Sequence, residues 1–204
     1  MAKLYFKYGA MGSSKTATAL ITKYNYEERG MRVWLIKPAA DSRDGVFTLR
    51  SRVGLAAEAE AIAPEQNLRE MYQAREQADV IIVDECQFLT PEQIDQLRWL
   101  VDRENLPVLC FGLRTDFRTS LFPGSRRLFE LADSITEIKT ICDCGRKATT
   151  NARISPDGYV VTEGDQVFLG GNDSYIAMCH KCYMDYINEH RKVELLHGNE
   201  RDSE

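Results

Sequence analysis

A glycine- and serine-rich loop near the start of the chain restricts the fold more than any other feature. The apolar, aromatic segment 3–8 predicts a strand, and the apolar pattern from Ala17 onward predicts a helix. Between them, residues 9–16 form a run of small residues that ends in Lys-Thr. Backbone N–H groups of such a loop surround phosphate oxygens at a helix N-terminus, where the helix dipole favours an anion. The order strand, loop and helix therefore predicts a nucleotide-binding P-loop, the alternative being a plain turn of small residues.

Two side chains of this loop are expected to act on the nucleotide directly. Lys15 is expected to reach the β- and γ-phosphates, and the hydroxyl of Thr16 to bind Mg²⁺. The loop departs from the pattern G-x-x-x-x-G-K-[ST] at one position, since Ser14 stands where the second glycine is usual. Serine has a Cβ atom and resists positive φ angles, so Ser14 is the point at which the loop geometry is in question. The predicted phosphate-binding residues of the loop are Gly9, Ala10, Met11, Gly12, Ser13, Ser14, Lys15 and Thr16.

A second segment supplies the acidic residues that a P-loop needs. Residues 80–83 are four consecutive β-branched residues, which is typical of a strand buried on both faces of a parallel sheet. Asp84 and Glu85 follow, and placing two carboxylates beside such a strand costs stability unless they have a role. Asp84 is expected to hold Mg²⁺, and Glu85 to face the reacting group. The alternative, a strand that simply ends in solvent, is disfavoured by the loop at 9–16.

The rest of the first two thirds of the chain alternates between strand and helix patterns. This alternation predicts an α/β fold in which a parallel sheet with right-handed crossovers is flanked by helices. Thr90, Pro91 and Gln93 form a capping box with proline at the first helical position. Residues 46–64 are weakly patterned, with a short strand expected over 48–53. The other predicted strands are 31–36, 106–112 and 134–139, and the predicted helices are 17–28, 67–77, 91–104 and 124–132.

Four of the six cysteines occur as two close pairs in the C-terminal part of the chain. In a cytoplasmic protein such pairs favour metal binding over disulfides. Four thiolates bind Zn²⁺ tetrahedrally and stabilise a segment too small to fold alone. The alternatives are buried free thiols, the role expected of Cys86 and Cys110, and His180 as a substitute ligand. The predicted zinc ligands are Cys142, Cys144, Cys179 and Cys182.

These features divide the chain into a P-loop domain, residues 1–139, and a zinc-binding domain, residues 140–196, followed by a polar tail, 197–204, predicted to be disordered. The formal net charge of −5 is unlike that of a general nucleic-acid clamp, so no nucleic-acid polymer is expected as main partner. No apolar run has the length of a membrane span, and no basic-then-apolar leader is present. We therefore expect a cytoplasmic protein without a membrane partner.

The motifs, taken in order, resemble those of type II thymidine kinases, the zinc-bearing, tetrameric family. They are Gly-Ala-Met-x-x-x-Lys-Thr at 9–16, Asp-Glu-Cys-Gln-Phe at 84–88, Leu-Arg-Thr-Asp-Phe at 113–117, and a Gly-Gly-x-x-x-Tyr run at 170–175 before the second cysteine pair. The resemblance covers nearly the whole chain. It implies transfer of phosphate from ATP to thymidine, giving thymidine monophosphate and ADP, in a homotetramer. It also implies that thymidine triphosphate (dTTP) inhibits by occupying the substrate site.

The same resemblance implies roles for individual residues. Glu85 resembles the general base that takes the proton of the 5′-hydroxyl. Arg43 resembles a phosphate-contacting arginine, and Asp41 lies in the same matching stretch. Without the resemblance, the polar residues of this stretch would predict a solvated turn. The segment between the cysteine pairs resembles a "lasso" that closes over the base. Beyond the loop, the expected ATP-binding residues are Arg43, Asp84, Glu85, Cys86 and Gln87. The expected nucleoside-binding residues are Met11, Phe88, Leu113, Phe117, Phe122, Phe168, Leu169, Gly170, Gly171 and Tyr175.

Two other functions remain open from the residues alone. The chain has the elements of a P-loop ATPase that drives a protein or nucleic-acid partner, with Glu85 activating water; thymidine would then change nothing. It also has those of a zinc-ribbon module in which Arg146 and Lys147 contact nucleic acid, although the acidic net charge disfavours this.

Overall fold

The computed structural model describes residues 1–41, 45, 47–166 and 175–193. The strands are β1 (Leu4–Tyr8), β2 (Val33–Pro38), β3 (Thr48–Arg50), β4 (Ala56–Glu58), β5 (Glu60–Ile62), β6 (Val80–Val83), β7 (Val108–Gly112), β8 (Ser134–Glu137), β9 (Thr150–Arg153) and β10 (Tyr175–Met178). The helices are α1 (Lys15–Glu27), α2 (Leu68–Gln73), α3 (Pro91–Arg103), α4 (Pro123–Leu131) and α5 (His180–Asn188), and a 3-10 turn covers Cys86–Phe88.

Six of these strands form one parallel sheet in the order β5-β2-β6-β7-β1-β8. All four residues of β6 are buried, as expected of a central strand whose β-branched side chains pack on both faces. Helices α2, α3 and α4 contribute to the apolar core on one face of the sheet, and α1 packs on the other. The predicted parallel α/β fold is confirmed. Since β7 alone separates β1 from β6, the segments that follow these strands meet at one sheet edge.

Several local predictions agree with the structure and others differ. The capping box at the start of α3 has both of its hydrogen bonds, from the N–H of Gln93 to Thr90 Oγ1 and from the N–H of Thr90 to Gln93 Oε1. Helix α2 ends at Gln73, short of the predicted residue 77. Residues 60–62, for which the sequence predicted no structure, form the edge strand β5 against β2. Helix α5 was also not predicted.

A second, smaller unit, which we call the cysteine lobe, comprises residues 140–166 and 175–193. It contains the antiparallel pair β9–β10 and helix α5, and it has its own cluster of buried apolar side chains. Ala10 of the P-loop packs into that cluster. The predicted tail 197–204 lies outside the described residues. Within the described ranges, none of the helices combines the length and the apolarity needed to span a bilayer.

Candidate active site

The segments that follow β1, β6 and β7 surround a cavity of about 520 Å³ at the carboxyl edge of the sheet. This is the edge at which open α/β sheets bind their ligands, because the loops after parallel strands diverge there. The hairpin β3–β4 and the cysteine lobe complete the wall. The cavity thus lies between the P-loop and the part of the chain that the sequence predicts to close over a nucleoside.

The P-loop holds its lysine inside the protein. Lys15 is 8% exposed, and its Nζ donates to the carbonyl of Ala10 at 2.9 Å and to Ser13 Oγ at 3.4 Å. Burial lowers the pKa of Lys15, while the charges of Glu85 and Asp84 act in the opposite direction. Among the described residues, the direct partners of this buried ammonium are neutral oxygens, and such an ammonium gains strongly from a phosphate anion. This geometry suits the phosphate-binding role predicted for Lys15.

The backbone of the loop requires a glycine at its first position and a left-handed residue at its sixth. A Cβ atom on Gly9 would lie 2.3 Å from the carbonyl oxygen of Ile138, so a larger residue does not fit. Ser14 adopts φ 60° and ψ 28°, the left-handed conformation that the sequence placed in question. Its side chain makes no capping hydrogen bond. The serine therefore occupies a glycine conformation, and its hydroxyl makes no helix-capping bond that would offset the strain.

We expect Ser14→Gly to raise the free energy of unfolding by about 0.5–1 kcal/mol, since the relief of left-handed strain exceeds the entropy cost of glycine. Urea unfolding measures this change. Ser14→Ala is the matched control, because it keeps the Cβ atom and removes only the hydroxyl, and it should not stabilise the protein. Equal stabilities of the glycine and alanine variants would contradict the prediction.

Asp84 and Thr16, the two residues expected to hold a cation, are in direct contact. Thr16 Oγ1 donates to Asp84 Oδ2 at 2.7 Å, and Asp84 is 1% exposed. Its second oxygen, Oδ1, is buried and has no hydrogen-bond partner within the part of the chain that the structure describes. Burial, and then the charge of Glu85, raise the pKa of Asp84 to about 7. An unpartnered buried carboxylate oxygen beside a hydroxyl fits a hard cation with oxygen ligands, such as Mg²⁺.

In the absence of added magnesium, we expect Asp84→Asn to stabilise the protein at pH 8 by about 2–4 kcal/mol. The folded-state pKa of Asp84 is about 7, whereas the unfolded chain titrates near its ordinary, lower value. Ionisation of this carboxyl therefore costs stability progressively as the pH rises from about 4 to 7, and asparagine avoids that cost.

Urea unfolding of wild type and Asp84→Asn at pH 6 and pH 8 tests this, and the gain should be larger at pH 8. Asp79→Asn is the control of opposite sign, because its carboxylate accepts hydrogen bonds from Arg32, which lower its pKa. An Asp84→Asn variant less stable than wild type at pH 8 would contradict the prediction. It would show that interactions in the folded protein outweigh the cost of burying the ionised carboxylate.

Glu85 is held in a defined orientation beside this site. Its backbone has φ 49°, and such left-handed non-glycine residues are often found at functional sites. Gln87, 1% exposed, donates from Nε2 to Glu85 Oε2 at 2.6 Å and accepts the N–H of Leu113 at 2.9 Å. A Cβ atom on Gly112 would lie 2.5 Å from Gln87 Oε1, so glycine is needed there. The amide of Gln87 thus fixes the carboxylate of Glu85 on the cavity wall.

The predicted nucleoside-binding residues that the structure describes share this cavity. Phe88 and Phe122 meet edge to face, with ring centroids 5.6 Å apart. By contrast, the side chain of Cys86, which the sequence predicted to bind ATP, lies in the hydrophobic core together with Cys110. Arg43, Phe168, Leu169, Gly170 and Gly171 lie outside the described residues. The predicted residues that line the cavity are Met11, Phe88, Leu113, Phe117, Phe122 and Tyr175.

The cavity has further polar walls to which the sequence assigned no role. Asp116 is buried and accepts hydrogen bonds from the N–H of Ser120 at 2.9 Å and from Gln166 Nε2 at 3.1 Å. Asn151 reaches the cavity from β9, and Arg52 from the turn between β3 and β4. Asp116 lies inside the 113–117 motif, so the motif could have indicated that it belongs to the site. Asn151 and Arg52 stand in weakly patterned stretches that contain no comparable motif.

The four paired cysteines converge in the cysteine lobe. Their sulfur atoms all lie within 4.8 Å of one another, and those of Cys144 and Cys179 are 3.6 Å apart. Tetrahedral Zn²⁺ with Zn–S bonds of about 2.3 Å separates its sulfur ligands by about 3.8 Å. The backbone N–H of Cys182 lowers the pKa of Cys179 to about 7, whereas burial raises that of Cys182. Four such thiols become thiolates together only beside a cation, so the cluster fits zinc. In the described residues the cluster consists of cysteines alone, without His180.

The fold and the cavity together define a P-loop nucleotide-binding α/β protein with a cysteine lobe against its phosphate loop. A thymidine kinase family model matches residues 2–183. The thymidine kinase of Shewanella oneidensis is 45% identical over 190 residues, which cover 92% of this chain and 99% of that one. The thymidine kinase of Legionella pneumophila (strain Lens) is 48% identical over 187 residues, 90% of each chain, and that of Yersinia pseudotuberculosis 46% over 190, covering 92% and 97%. The chain belongs to the thymidine kinase family, which confirms the predicted resemblance.

Proposed function

We propose that this protein transfers the γ-phosphoryl group of ATP to the 5′-hydroxyl of thymidine, giving thymidine monophosphate and ADP. One observation carries the proposal. A single cavity brings together a P-loop lysine, a buried carboxylate suited to a cation, an oriented second carboxylate and an apolar aromatic wall. Membership of the thymidine kinase family supports the choice of both substrates.

The phosphate end of the cavity supplies charge neutralisation, which is the main requirement of phosphoryl transfer. Lys15, the loop amides and Arg43 would hold the β- and γ-phosphates. Thr16 and Asp84 would hold Mg²⁺, which when bound neutralises developing charge on the phosphate oxygens. The cavity residues keep ATP in place while the acceptor approaches from the aromatic side.

Glu85 is proposed as the general base. Its carboxylate takes the proton of the 5′-hydroxyl as the bond from the 5′-oxygen to the γ-phosphorus forms, and the bond to the β-phosphate oxygen of ADP breaks. Gln87 keeps the carboxylate aimed at the cavity through the 2.6 Å hydrogen bond. That hydrogen bond contributes to holding the carboxylate in one orientation from one turnover to the next.

The base of the nucleoside is proposed to bind among the aromatic side chains, with Tyr175 and the neighbouring residues 168–171 closing over it. Closure excludes water and so limits hydrolysis of ATP. Zinc bound by the four cysteines would hold this lobe together. As further parts of the proposal, dTTP inhibits by occupying the same site, and the enzyme is a cytoplasmic homotetramer.

The proposal is tested with a panel of nucleosides and γ-labelled ATP, scored for the labelled monophosphate. Thymidine should give the highest yield, and omission of the nucleoside should leave the label on ATP. Release of labelled phosphate at the same rate with and without thymidine would instead identify an ATPase. Wild-type protein that forms no labelled nucleotide with any member of the panel would overturn the proposal.

A further inference from the structure

The cysteine lobe contacts the P-loop as well as the nucleoside end of the cavity. The side chain of Ala10 packs in the same apolar cluster as Cys142 and Cys179, two of the proposed zinc ligands. Thr140 Oγ1 of the lobe donates to the carbonyl oxygen of Gly12 at 3.4 Å. The loop that is to hold the phosphates is therefore supported by a part of the chain more than 120 residues further on.

The strongest of these contacts comes from Asn151 on β9. Its Oδ1 accepts the backbone N–H of Met11 at 2.7 Å, and its Nδ2 donates to the carbonyl of Thr115 at 3.5 Å. Asn151 is 3% exposed, so water offers little substitute for these bonds. One side-chain amide thus joins the lobe, the P-loop and the segment after β7.

Met11 directly follows Ala10, whose carbonyl oxygen is a hydrogen-bond partner of Lys15. The carbonyl of Ala10 accepts both Lys15 Nζ at 2.9 Å and the N–H of Ser13 at 3.3 Å. Fixing the N–H of Met11 fixes the peptide plane that carries this carbonyl, since the two groups belong to one peptide unit. Asn151 therefore constrains, through a single planar unit, where Lys15 is held.

We propose that Asn151 is a positioning residue for the phosphate loop. The cysteine lobe then contributes to MgATP binding, in addition to its proposed role in covering the nucleoside. This inference rests on the proposed function. Asn151 touches no reacting atom in this account. It acts by holding Met11 and, through the carbonyl of Ala10, the lysine.

The binding test compares Asn151→Ala with Gln166→Ala. Gln166 lies in the same lobe and lines the same cavity but bonds Asp116 rather than the loop. Titration with MgATP in the absence of thymidine should show affinity about 5- to 50-fold weaker for Asn151→Ala, because the partly buried N–H of Met11 loses its acceptor. Gln166→Ala should bind MgATP within about twofold of wild type. Thymidine affinity, titrated without nucleotide, should change less than MgATP affinity in Asn151→Ala.

Hydrogen exchange provides a readout that needs no nucleotide. In Asn151→Ala, the amide of Met11 should exchange at least about tenfold faster than in wild type, whereas the amides of helix α3 should be unchanged. Removal of zinc from the wild-type protein by a chelator should have the same effect on peptides that span residues 9–14. The zinc-removal measurement uses wild-type protein, so it applies even if Asn151→Ala does not fold. The zinc content and melting temperature of Asn151→Ala show whether that variant folds.

Three results would overturn the inference. The first is weaker thymidine binding with unchanged MgATP binding, which would make Asn151 part of the base pocket only. The second is an equal loss of MgATP affinity in both variants. The third is unchanged exchange of Met11 after substitution or zinc removal. Wild-type protein that binds no MgATP would be a failure of the proposed function instead, and the exchange measurement would still decide the role of Asn151.

Discussion

Replacing Glu85 by glutamine is expected to lower kcat for thymidine phosphorylation by about 10²- to 10⁴-fold, the usual contribution of a general base. The side chain keeps its size, so Gln87 can still orient it, but an amide cannot accept the proton of the 5′-hydroxyl. Although Glu85 lies beside the expected nucleotide site, MgATP affinity should stay within about twofold of wild type, since the proposed phosphate ligands are Arg43, Lys15 and the loop amides. Steady-state kinetics and a nucleotide titration measure the two quantities.

The matched control is Glu92→Gln, which removes the same charge from the exposed first turn of α3. It should leave both kcat and MgATP affinity unchanged. Gln87→Leu provides an intermediate case, because it removes the 2.6 Å hydrogen bond but leaves the base in place. We expect it to lower kcat less than Glu85→Gln does. Near-wild-type turnover of Glu85→Gln would show that Glu85 is not a general base. Positioning of the substrates and neutralisation of phosphate charge would then account for catalysis.

The parts of the fold that the sequence predicted are those with a local physical cause. The P-loop is a small-residue turn between a strand and a helix, and β6 is a run of β-branched residues, so each is determined within about ten residues. The capping box of α3 is likewise complete in four residues. The alternation of strands and helices predicted a parallel sheet, whose strands all end at one edge, and with it the position of Lys15, Asp84 and Glu85 at that edge.

The features that were missed depend on contacts between distant segments. Strand β5 lies in an Ala/Glu-rich stretch whose residue types have low β-propensity, and it forms a strand by pairing with the free edge of β2. Lys37 directly follows the predicted strand 31–36, and its complete burial depends on the carbonyls of Gly45 and Thr48, each 2.8 Å from its Nζ. Asn151 has no local motif, because its role depends on Met11, 140 residues away. A single sequence carries no signal for such pairs.

The second large effect concerns the cysteine cluster. We expect Cys144→Ser to lose the zinc that the four cysteines are proposed to bind and to abolish thymidine phosphorylation, since structural zinc sites supply about 10–16 kcal/mol of folding free energy. The lobe has a small core and one two-stranded sheet, so little else holds it together. The P-loop domain has its own core on both faces of the six-stranded sheet and should stay folded. Metal analysis, limited proteolysis and the labelled-ATP assay measure zinc, lobe folding and activity.

Cys110→Ala is the matched control, because this buried cysteine of β7 belongs to the core of the sheet and lies outside the cluster. This variant should keep one zinc per chain and most of the activity, although removal of the Cys110 thiol from the core lowers overall stability. In Cys144→Ser, new proteolytic cleavage should occur within 140–193 and not within the sheet. MgATP binding should persist in weakened form, because the loop then lacks the support of Asn151. Full activity without bound zinc would mean that the lobe closes over the nucleoside by packing alone, and that the four thiols converge for another reason.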